Sequence, residues 1–159
     1  MGQNSWADTV VSLTTILSTT LNSLANNTSD VSDTINNETD ELIQYARYID
    51  FELHLASLDL SAQVNPAIEL YFLESIDAGT TFDQGDDATS DVDLLPAKPP
   101  SVIIPVRTGN GAEIKNQILT MIPLPRSILK ILFLNKTGIS LAASGNTLKY
   151  RTYNSIIRL

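Results

Sequence analysis

Apolar and polar positions alternate with a period of two along much of this chain, the spacing of strands that turn one face inward and one outward. The clearest run is 45–58, where Ile49, Phe51, Leu53 and Leu55 share one face and Asp50, Glu52 and His54 the other. After the break at Asn65-Pro66, residues 67–74 set Ile68, Leu70 and Phe72 against Glu69, Tyr71 and Leu73. Residues 102–107 form a short strand interrupted by Pro105, which suits an edge or a bulge. Residues 113–122, with Ile118 and Ile122 opposite Leu119 and Met121, and residues 147–153 continue the series. Turn signals separate these runs at Gly109-Asn110-Gly111, at 123–126, at NKTG (135–138) and at SGN (144–146).

One strand departs from the pattern. In 128–134, Leu129, Ile131 and Phe133 point one way, while Ile128, Lys130, Leu132 and Leu134 point the other. A strand with one wet face should carry polar residues on that face, and here a single Lys stands among three apolar side chains. Both faces are therefore expected to be covered. Leu129, Ile131 and Phe133 are assigned to the core, and Ile128, Leu132 and Leu134 to a contact with another protein surface.

The first forty residues are rich in Ser, Thr, Asn and Asp and hold no Pro. Val10, Leu13, Leu17, Leu21 and Leu24 recur at helix-like steps, but Thr14, Thr15, Thr19 and Thr20 are β-branched and favour extended backbone. The expectation is an extended N-terminal arm over 1–18, then one β-sandwich domain over 19–159 with strands near 19–24 and 28–35. A short amphipathic helix over 10–21 is the alternative. Val10, Leu13 and Leu17 are the arm residues assigned to a neighbour. In total the chain offers about eight short strands with turns between them, an all-β pattern that reads as an antiparallel sandwich of the Greek-key, jelly-roll kind.

Composition narrows the chemistry. With 43 % hydrophobic residues the chain can build a core. Its net charge of −8, from 18 acids and 10 bases, argues against nucleic acid as a partner, since phosphate binding needs clustered Lys and Arg. There is no Cys, so disulfides and thiolate chemistry are excluded. His54 is the single His, and no G-x-S-x-G occurs, so the chain does not read as an enzyme. A carboxylate-pair hydrolase is the remaining enzymatic option, with no pair that stands out. No apolar run approaches the roughly 18–20 residues of a membrane span, and the first residues carry no basic and apolar secretory pattern. The segment 77–101 holds six Asp, two Gly and three Pro and is expected to be an exposed acidic loop. Asp83, Asp86 and Asp87 could approach Ca²⁺ there, but their spacing matches no EF-hand, and no metal or cofactor is expected. Sequons at Asn27, Asn37 and Asn135 are read as turn and strand chemistry.

Four segments carry a resemblance. FLNKTGISLAASGNTLKYRTYN at 133–154, IDFELHLASLD at 49–59, AIELYFLESIDAGTTFD at 67–83 and SLANNTSDVSDTINN at 23–37 together resemble virion structural proteins of tailed bacteriophages, specifically small capsid decoration, or cement, proteins. The resemblance implies a jelly-roll-like sandwich, assembled as a homotrimer on the outside of a phage head and bound to the major capsid protein. Synthesis would be in the bacterial host cytoplasm. It brings no catalytic residues. The alternative is a carbohydrate- or receptor-binding sandwich module of a tail or head fibre, for which Lys149, Arg151 and Tyr153 could form a polar, ring-bearing face.

Overall fold

Nine strands lie among residues 12–38, 46–83, 97–109 and 111–153, the residues described in the computed structural model. They are β1 (Thr14–Leu17), β2 (Ser29–Val31), β3 (Ile35–Asn36), β4 (Tyr48–Leu58), β5 (Ala67–Ser75), β6 (Val102–Pro105), β7 (Glu113–Pro123), β8 (Ile128–Lys136) and β9 (Thr147–Tyr153). Their antiparallel pairings are nested: β1 with β9, β2 and β3 with β8, β4 with β7, β5 with β6. The chain is thus one long hairpin, rolled up so that successive pairs fall alternately into two sheets. Pairing of β4 with β9 and of β5 with β8 then completes sheets in the order β1-β9-β4-β7 and β2-β8-β5-β6. This is the jelly-roll order, as expected from the strand count and turns.

The core follows the alternation. Ile49, Phe51, Leu53 and Leu55 of β4 are fully buried, facing Ile68, Leu70 and Phe72 of β5 and Leu129, Ile131 and Phe133 of β8. Leu70 lies opposite Phe133 and Phe72 opposite Ile131 across the β5–β8 ladder. The rings of Phe51 and Phe72 meet between the sheets with centroids 6.4 Å apart.

The start of the sandwich differs from the expected boundary at residue 19. Thr14–Leu17 already pairs with β9, so the last residues assigned to the arm belong to the first sheet. The β-branched pair Thr14-Thr15 suits that ladder, and Leu17 is buried in the core instead of being offered to a neighbour. The segment 19–24 is no strand: Thr19–Leu21 forms a single 3-10 turn that drops Leu21 into the core. The span 28–35 divides into β2 and β3 around Ser32, whose hydroxyl accepts the Ile131 N–H at 2.8 Å. No helix runs through the described part of 10–21 beyond that single 3-10 turn.

The largest correction concerns the second face of β8. Ile128, Leu132 and Leu134 do point away from the core, but they are buried within one chain, with Leu132 0 % exposed. They form a second apolar cluster with Tyr71, Leu73 and Phe82, against which Val31 packs. Phe82 comes from the turn after β5. Asp77 organises that turn: its carboxylate accepts the Thr80 N–H at 3.1 Å and, from Thr81, the N–H at 2.8 Å and the hydroxyl at 2.5 Å. Gly79, at φ +88°, presses its backbone on Ile128, and a Cβ there would sit 3.3 Å from Ile128 Cγ2. Lys130 closes the layer with its ammonium 4.7 Å from the Phe82 ring centroid. These three residues therefore have little surface to give a partner.

Candidate assembly surface

With the far face of the second sheet covered, the apolar surface that stays exposed gathers elsewhere. Ile103 on β6 and Ile114, Ile118 and Met121 on β7 are 55 %, 58 %, 71 % and 60 % exposed, values that separate them from every core position. β6 and β7 are the last strands of their sheets and run beside one another, so these residues line the rim there, Ile103 on the outer face of the second sheet, Ile114 and Ile118 on the outer face of the first, and Met121 at the bulge of β7. Among the described residues the other large exposed apolar ones are Leu13, Val64 and Ile76, which lie outside the strands.

The rest of the outer face of the first sheet is polar and internally paired. Cross-strand rows run from β9 over β4 to β7. Lys149 bonds Glu52 at 2.8 Å, and Glu52 lies opposite Ile118. Arg151 bonds the buried carboxylate of Asp50 at 2.8 Å. His54 Nδ1 lies 2.6 Å from Asn116 Oδ1. The face holding Lys149, Arg151 and Tyr153 is thus real, but its two cations are engaged by carboxylates. Tyr153 stacks at a tilt on Tyr48, with centroids 5.7 Å apart. Burial first, and then its hydrogen bond to Asp50, push its phenol above the usual tyrosine range.

The corner between β6 and β7 is electrostatically tied. Glu113 accepts from Arg107 and, at 3.2 Å, from Lys115, and these bonds hold its carboxyl below the usual range. Lys115 is buried and also reaches the Thr108 carbonyl at 3.3 Å. Neither charge of β7 therefore stands free beside the exposed isoleucines.

Of the residues assigned to contacts from the sequence, Val10 lies outside the described residues. Leu13 is exposed just before β1, Leu17 is core, and Ile128, Leu132 and Leu134 are together in the covered cluster. Asp86 and Asp87 also lie outside the described residues, while Asp83 is taken by Lys98. Among the described residues no group of three or more His, Cys, Asp or Glu is placed to hold a metal ion, and no helix is long and apolar enough to cross a membrane. Asn135 is buried, its amide donating to the carbonyls of Leu24 and Ile139 at 2.9 Å each, which makes that sequon a structural bracket. The sequence reading missed the exposed residues Ile103, Ile114 and Met121. Their signal was present as Ile114 and Ile118 on either side of Asn116, but period two alone does not say which strand ends a sheet.

No family model, curated protein or solved structure matches this chain.

Proposed function

We propose that this protein is a virion structural protein of the capsid decoration type, which coats the outside of a phage head by protein–protein contact with the major capsid protein. The reading rests on the resemblance of the four segments, and the observation that supports it is the exposure of Ile114, Ile118 and Met121 along one edge strand, β7, with Ile103 exposed on the neighbouring edge strand β6. Exposed apolar side chains along an edge strand, beside polar rows, suit docking to protein better than binding of a small polar ligand. The jelly roll serves capsid proteins and lectins alike, so the site and not the fold must distinguish them. Acidity without basic clusters suits an exterior surface.

A carbohydrate- or receptor-binding module is the second reading. Its supporting observation is a polar cleft between β3 and β9, lined by Asn36, Asn37, Tyr150 and Thr152. A glycan array separates the two.

The test is co-sedimentation of the purified chain with phage heads stripped of it. Saturable binding at a fixed ratio to the capsid protein is expected, weakened by Ile103→Asp and Met121→Asp. No binding, together with a glycan hit whose affinity falls on Tyr150→Ala, would replace the reading with its alternative.

A further inference from the structure

We propose that β7 pairs with β7 of a second copy across a two-fold axis at Asn116, joining the two β1-β9-β4-β7 sheets edge to edge into one continuous sheet. The proposal rests on reading the β6–β7 side as an assembly surface, and it makes a dimer, not the trimer implied by the resemblance, the unit of self-association.

The edges of the two sheets differ. Natural sheets protect their edges with short strands, bulges, Pro or charge. β1 has four residues and a register shift between Thr15 and Leu17. β2 has three residues and β3 two. β6 has four and ends on Pro105. β7 has eleven residues, and among the described residues no strand pairs its outer side. Its own protections stand towards its two ends, Glu113 and Lys115 at one and the bulge at Met121 with Pro123 at the other, and between them residues 116–120 carry neither charge nor Pro.

The exposed residues of β7 set the register. β7 carries one inserted residue, between Leu119 and Ile122, where Met121 takes φ 59°. A second register shift lies between Leu55 and Leu58 of β4, opposite Lys115 and Glu113, so the regular ladder runs over 115–119, and Pro123 ends the strand above. Asn116 lies in that stretch, midway between the exposed Ile114 and Ile118. A two-fold axis there sets Ile114 of each copy opposite Ile118 of the other, so both exposed isoleucines gain an apolar cross-strand partner twice over. Glu113 then faces Leu119 and Lys115 faces Gln117, so no like charges meet although the chain carries −8.

The experiment measures the mass of the full chain in solution against concentration, for the native protein and two double variants. Native protein is expected to reach twice the 17.3 kDa chain mass. I114K/I118K sets lysine opposite lysine and should weaken the dimer at least ten-fold. I114K/I118E sets lysine opposite glutamate in this register and should keep it. Because the chain has no Cys, Asn116→Cys places two thiols across the axis, and mild oxidation should give a covalent dimer, whereas Thr120→Cys should not. A single-chain mass at every concentration, a trimer mass, or equal behaviour of the two double variants overturns the proposal. Should the charged variants fail to fold, the oxidation decides alone, and an Asn116→Cys variant whose thiols stay reduced overturns it. Head binding measured in parallel separates the two readings. Monomers that still bind heads defeat only the pairing, and dimers that do not bind them defeat only the decoration reading.

Discussion

The carboxylate of Asp50 on β4 accepts the backbone N–H of Met121 on β7 at 2.9 Å. Met121 is the residue at which β7 gains its extra position, and its φ of 59° turns that N–H out of the regular ladder. Asp50 supplies the acceptor that the ladder no longer provides, and Arg151 balances its charge from the other side. The bulge is thereby held in place, and with it the upper limit of the straight part of β7. Asp50→Ala should strand the Met121 N–H and loosen the bulge. A loss of about 1 kcal/mol is expected in urea unfolding, the usual net contribution of one hydrogen bond.

The two faces of β8 should respond alike to charge. Leu132→Asp and Phe133→Asp place a carboxylate in separate but equally dry clusters, and both should prevent folding. Leu132→Ala should cost about 2–5 kcal/mol, as for other fully buried leucines. Ile118→Asp, on an exposed position, should leave the melting temperature of the single chain within roughly a degree or two of the native value, as a surface change allows. Circular dichroism melts of the four variants test the contrast.

Asp77 makes the cover over the second cluster sensitive to acid. Its hydrogen bonds, with that from the Thr81 hydroxyl foremost, hold its carboxyl down at about 2, below the ordinary 3.8. A carboxyl depressed in the folded state stabilises it above the unfolded value, and the contribution is lost as pH falls towards the folded one. The turn should therefore be intact from neutrality to about pH 4 and loosen between about pH 4 and pH 2. Amide exchange at Thr80 and Thr81 should rise in that window relative to β8. In Asp77→Asn the rise should already be present at neutral pH.

Asn135 ties the turn after β8 to the segment before β2. Besides its two carbonyl partners, its Oδ1 accepts the Thr137 N–H at 3.0 Å and hydroxyl at 2.7 Å. Asn135→Ala leaves at least two buried groups unpaired and should cost about 2–4 kcal/mol in equilibrium unfolding. Asn135→Asp keeps the acceptor but loses the two donors, so it should recover only part of that loss.

The interior was legible because its signal is local. Ile49, Phe51, Leu53 and Leu55 alternate without interruption, and so do Ile68, Leu70 and Phe72, and each set faces inward. The split of β8 into two faces was also legible, but not what covers the second. That cover arrives from Phe82, far earlier in the chain, through a turn made by Asp77 side-chain bonds that leave no periodic trace. Likewise, nothing in 113–122 marks it as an edge. Edge position is a property of the roll, and only the pairing of β4 with β9 on its other side leaves β7 outermost. At the chain start, the spacing of Leu13, Leu17 and Leu21 mimicked a helix, while three different environments explain the residues: Leu13 before β1, Leu17 within it, Leu21 in the 3-10 turn.

As proposed above, the protein would be a stoichiometric part of a virion surface, in contact with other protein. Quantitative mass spectrometry of phage particles purified from cells that make the chain measures this most directly. The chain is expected in them at a fixed ratio to the major capsid protein, removable by mild denaturant while the shell stays closed. Absence from the particle, or a handful of copies that purify with the tail, would contradict it.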